Sequence, residues 1–154
     1  MNETMMEKLY REAASLEPRH SPWGSIDGMR WIANGIYSVN TPSHGGIMVH
    51  KSVADKVLSK EAREVGFESE PFICFEEDCD APVAIRELLD KGLMKAPVND
   101  HFKEGEYSAC INDSIKRWNP DYWNAYEKRT NEKSEPPKAK QKKSKEREER
   151  RWVM

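Results

Sequence analysis

The chain has 154 residues, 37% hydrophobic and 34% charged, which suits one domain and a tail. No apolar run approaches the roughly 18 residues that spanning a bilayer needs, so a membrane-spanning helix is excluded. Formal net charge is −2, but residues 132–154 carry nine Lys/Arg against five Asp/Glu, which leaves an acidic body of −6 that repels nucleic acid and suits a basic partner. Residues 1–19 have scattered charges and no apolar core of a signal peptide, and the cysteines, Cys74, Cys79 and Cys110, are odd in number. Both observations predict reduced thiols and a cytoplasmic protein.

In chain order, Met5, Met6, Leu9, Ala13 and Leu16 recur at helical spacing and predict a helix over residues 2–17, ended by Pro18. Ser21-Pro22-Trp23-Gly24 reads as a turn-rich connector. Met29–Ala33 and Ile36–Val39 flank Asn34-Gly35, the signature of a hairpin, although Asn and Gly also end helices. Thr41–Gly46 is a second turn and Ile47–Val49 a third strand. One helix is expected over residues 51–64, stopped by Gly66, and a strand over Pro71–Phe75. Asp80 is placed to cap a helix that starts at Ala81, with Pro82 in its first turn and Lys91-Gly92 at its end. Residues 93–105 read as a loop, and residues 106–129 as one or two helices broken near Asn119-Pro120. The fold class is α+β: residues 1–130 form one domain, a small antiparallel sheet packed against three or four helices. Residues 131–154 form a charged, disordered tail.

Two polar clusters fall where strand-like runs end: Thr41-Pro42-Ser43-His44-Gly45-Gly46 and Glu76-Glu77-Asp78-Cys79-Asp80. Such ends commonly display functional groups. His44 can serve as acid, base or metal ligand, with Gly45 and Gly46 allowing a ligand close to the backbone; it can equally be a surface residue of a plain β-turn. Glu76, Glu77, Asp78 and Asp80 suit a divalent cation, a basic protein partner, or simply a solvated helix start. Cys79 with His44 could form a nucleophile pair, but the neighbouring carboxylates favour the thiol over the thiolate. His44, His50, Cys74 and Cys79 do not have the spacing of a structural zinc site. Trp23, Trp31, Trp118 and Trp123 read as core rather than a binding platform. Lys142-Lys143-Ser144-Lys145 offers at most weak nucleic-acid contact.

Taken together, Ser-Pro-Trp-Gly, Thr-Pro-Ser-His-Gly-Gly and Glu-Glu-Asp-Cys-Asp, over residues 21–93, resemble a family of uncharacterised domains from phages, plasmids and other mobile elements. Pro82, directly after the acidic cluster, departs from that pattern, which has an apolar helix former there. The resemblance implies a setting and no activity. The expectation is an accessory binding protein of a phage or mobile element that needs no cofactor. It would act in the host cytoplasm on a host protein, such as a defence nuclease or effector complex, through the acidic surface. Its contact residues would be Ser43, His44, Gly45, Gly46, Glu76, Glu77, Asp78 and Asp80. The alternative is a small metal-dependent enzyme, or a nucleotide or phosphate binder, at the same residues. His44 would then be the catalytic candidate, and His44, Asp78 and Asp80 the metal ligands.

Overall fold

Asn34-Gly35 closes a hairpin, as its dipeptide signature requires. A computed structural model of the protein describes residues 3–134. In it β1 (Gly28–Ala33) pairs antiparallel with β2 (Ile36–Asn40), with an irregularity between Trp31 and Ala33. Gly35 has φ 83°, and a Cβ there would lie 2.9 Å from Val53 Cγ2, so both turn geometry and space demand glycine. Asn34 holds the turn from outside by accepting a hydrogen bond from Trp31 Nε1 at 3.2 Å.

Beyond the hairpin come β3 (Gly45–His50), β4 (Phe67–Ser69) and β5 (Phe72–Glu76). They complete a five-stranded antiparallel sheet in the order β1-β2-β3-β5-β4. Gly45 to Val49 are all buried, because β3 is central and both faces of the sheet are covered. On one face Tyr37, Val39, Met48, Phe72 and Cys74 form a core cluster, covered by Trp23 and Ile26 of the connector. Helices α2 (Lys51–Val57) and α4 (Ala81–Asp90) pack against β3 and β5. Their buried Ala54, Val83, Ala84 and Leu88 belong to the core with Ile47, Val49, Ile73 and Phe75 of the sheet.

The single helix expected over residues 51–64 is two helices, α2 and α3 (Lys60–Val65). Leu58 leaves the helix with φ −123° and ψ 142°, and Ser59 caps α3 by accepting from the Ala62 N–H. The cause is distant in sequence. Glu87, 4% exposed, accepts from the Ser59 N–H and hydroxyl, both at 2.6 Å, and from the Tyr122 hydroxyl at 2.5 Å. A buried carboxylate needs such donors, and they are found by breaking the helix at Ser59. Its neighbour Arg86 is also buried on α4 and reaches Ser108 Oγ, Asn112 Oδ1 and Asp90 Oδ1 at 2.7–3.1 Å.

The N-terminal helix, α1 (Met5–Ser15), is shorter than expected and opens on a capping box between Thr4 and Glu7. The break at Asn119-Pro120 separates α5 (Glu106–Trp118) from α6 (Pro120–Ser134). Among the described residues, six helices and five strands make the expected α+β fold. Trp31 and Trp118 are 60% and 53% exposed, so the reading of the tryptophans as core fails for these two. The chain divides into one compact unit ending at Trp123 and a second starting at Asn124. In the second, residues 131–134 are still helical, and the tail expected beyond them lies outside the described residues. No helix among the described residues is long and apolar enough to cross a membrane.

Candidate functional site

Both polar clusters sit at one end of the sheet. The pair Asn40↔Gly45 closes a loop of Thr41, Pro42, Ser43 and His44 between β2 and β3. Thr41 staples it. Its N–H donates to the His44 carbonyl at 2.8 Å, its hydroxyl donates to the same carbonyl at 2.7 Å, and its Oγ accepts from the His44 N–H at 3.1 Å. The Trp23 carbonyl lies 3.3 Å from the same hydroxyl. Thr41 is buried, and Pro42, Ser43 and His44 are exposed.

Gly45 and Gly46 are buried strand residues. A Cβ on Gly46 would lie 2.1 Å from the Phe75 carbonyl oxygen and 2.7 Å from Trp23 Cη2. The space that glycine leaves here is filled by the protein's own indole and backbone.

The acidic cluster lies beside this turn because β5 pairs with β3. Gly46 is opposite Glu76, and the Glu77 N–H donates to the Gly45 carbonyl at 3.0 Å. The Cys79 and Asp80 N–H groups then turn back onto the Glu76 carbonyl at 3.3 and 2.9 Å. Glu77 and Asp78 are exposed, while Glu76, Cys79 and Asp80 are half-buried. Asp80 has helical φ/ψ and makes no side-chain cap to α4. Instead Asn119 Nδ2 donates to the Cys79 carbonyl at 3.0 Å and lies 3.4 Å from Asp80 Oδ1.

These surroundings set the chemistry. Burial raises the Asp80 carboxyl above its ordinary value, against the hydrogen bonds from Asn119 and Cys79. Burial, then the charges of Asp80 and Glu76, push the Cys79 thiol up to about 11. Cys79 is therefore a thiol at neutral pH, which leaves a Cys79–His44 nucleophile pair without its thiolate. Cys74 is fully buried and its thiol is pushed up to about 12 by that burial. His44 and His50 flank opposite ends of β3, so the zinc set is not assembled. Among the described residues no group of three or more His, Cys, Asp or Glu is arranged to hold a metal ion.

Of the expected contact residues, the fold exposes Ser43, His44, Glu77 and Asp78 together, leaves Glu76 and Asp80 half-buried, and buries Gly45 and Gly46. Sequence reasoning missed Thr41 as the staple and Asn119 as the clamp on the acidic loop. A threonine before proline, able to bond the backbone three residues on, was the available signal for the first. Nothing local pointed to the second, which acts 40 residues from Cys79.

No curated protein and no solved structure matches the chain. A family model described as a domain of unknown function matches residues 16–152, which takes in the Trp23 connector, the sheet, the turn and the acidic loop, and leaves out α1. On that coverage the chain belongs to the DUF7007 family.

Proposed function

We propose that the chain is a non-catalytic binding protein whose contact surface is the sheet end where the Thr41–His44 turn meets the acidic loop. The supporting observation is the hydrogen bond from the Glu77 N–H to the Gly45 carbonyl, which joins the two loops into one surface. Glu77 and Asp78 are exposed there and carry no ion pair among the described residues. Unpaired exposed carboxylates on an acidic body steer and select a basic partner. The partner is a protein with a basic groove of the kind built for nucleic acid. With the resemblance to domains of mobile elements, this supports an accessory factor of a phage or plasmid that occupies a host defence nuclease or effector complex in the host cytoplasm.

Charge reversal tests the reading. The double variant Glu77→Lys, Asp78→Lys should keep its far-UV circular dichroism and thermal midpoint, since surface changes cost within about 0.5 kcal/mol. It should lose a host protein that the wild type captures, and the wild-type complex should weaken with salt because exposed charges are screened over about 8–10 Å. Capture unchanged by the reversal refutes the proposal. Submillimolar Mg²⁺, Mn²⁺ or Zn²⁺ binding that vanishes in Asp78→Asn would favour the metal-dependent alternative instead.

A further inference from the structure

A second set of functional groups collects at the opposite end of β3, roughly 17 Å along the strand from the acidic loop. Here the chain after α1 passes the β4–β5 turn, and the two enclose a cleft of about 250 Å³. Its polar wall includes Glu17, Arg19, His20, His50, Ser69 and Glu70, with Ser15 at the end of α1; Pro71 and Phe72 supply an apolar wall. Phe72 packs edge-on against the His50 ring, with centroids 5.2 Å apart. The volume lies just below the roughly 300–1,000 Å³ of pockets for drug-sized ligands, so the occupant is small.

The charges in this wall are unevenly satisfied. Glu70 is paired with Lys51, which also reaches Glu68. Arg19 and His20 make no hydrogen bond or ion pair among the described residues, and the Glu17 carboxylate makes none either. His50 is locked. The Ser52 N–H donates to its Nδ1 at 3.1 Å, so the neutral ring carries its proton on Nε2 as a donor. The protein thus leaves one cation, one anion and imidazole donors unpaired beside an apolar wall.

We propose that this cleft binds a small zwitterion, a free α-amino acid with an apolar side chain. Arg19 takes the carboxylate, Glu17 takes the ammonium group, and Pro71 and Phe72 take the side chain. A planar guanidinium suits a carboxylate because it can donate two parallel hydrogen bonds. A polyanion such as a phosphate ester is disfavoured, since Glu17 would face it. The site is independent of the acidic surface, and either can fail without the other.

Calorimetric titration of the full chain with L-leucine tests this, alongside N-acetyl-leucine, which lacks the ammonium, and leucinamide, which lacks the carboxylate. Saturable binding of leucine at millimolar concentration is expected, weakened roughly tenfold or more by either modification. Arg19→Gln should lower leucine affinity and erase its advantage over leucinamide; Glu17→Gln should erase its advantage over N-acetyl-leucine. Both side chains are exposed, so the variants should fold, which circular dichroism checks. In imidazole NMR spectra leucine should shift His20 and His50 and leave His44 unmoved. No saturable heat, equal affinity for leucine and leucinamide, shifts at His44 alone, or tighter Arg19-dependent binding of inorganic phosphate would each overturn the proposal.

Discussion

Gly46→Ala is expected to destabilise the protein by about 3 kcal/mol, at the upper end of the range for overpacking. The added methyl would lie 2.1 Å from the Phe75 carbonyl oxygen, 2.7 Å from Trp23 Cη2 and 2.9 Å from Trp23 Cζ2. A side chain can swing away, but the carbonyl belongs to β5, paired with β3 through Gly46↔Glu76 and Ile47↔Phe75. Relief therefore requires the two central strands to separate locally. For a domain of this size that loss lowers the thermal midpoint by about 10 °C, readable by circular dichroism. Ser43→Ala, in the exposed part of the same turn, should stay within about 0.5 kcal/mol of wild type. In a Trp23→Ala background most of the Gly46→Ala cost should remain, because the backbone contact is the closer one. A Gly46→Ala protein that melts with the wild type, or one rescued by Trp23→Ala, would refute the reasoning.

Asp80 supplies a pH test. Its carboxyl is raised by burial above an ordinary value of 3.8, so the folded state favours the protonated form; the stability this gives is fully present below that value and is lost as pH rises through the higher folded value. Asp80→Asn, which keeps an acceptor for Asn119, should raise the thermal midpoint at pH 7, with the gain disappearing below about pH 4; a gain constant across pH would assign the effect to packing. Alkylation of the native protein by iodoacetamide at pH 8 should label exposed Cys110 first, Cys79 slowly and Cys74 only after unfolding, as peptide mass spectrometry would show; prompt labelling of Cys79 would contradict its high thiol value.

What could be read from the sequence depended on how local each cause was. Asn34-Gly35 and Asn119-Pro120 carry their structural meaning in two residues, and the hairpin and the helix break stand where those pairs put them. The interruption at Leu58-Ser59 could not be read, because its reason is a carboxylate 28 residues away. The short strand β4 is three residues of edge, too brief to show a period. At the candidate site the two clusters were recognisable as strand ends, but not their adjacency, which follows from β5 pairing with β3. The glycines were misleading for a related reason. A glycine that admits a ligand and one that admits a tryptophan from 23 positions earlier look the same in one dimension.

The unbroken burial of Gly45 to Val49 also governs where this chain can change length. A one-residue insertion within that run would turn every later side chain to the other face, and one between Gly45 and Gly46 would put the inserted side chain in the position Gly46 holds under Trp23. The two loops at that end of the sheet carry no such restriction at Ser43, His44, Glu77 and Asp78, whose side chains are solvated. Epitope tags, cross-linking residues or extra loop residues belong at those positions. Variation in contact chemistry can accumulate there while the strand beneath stays fixed in length.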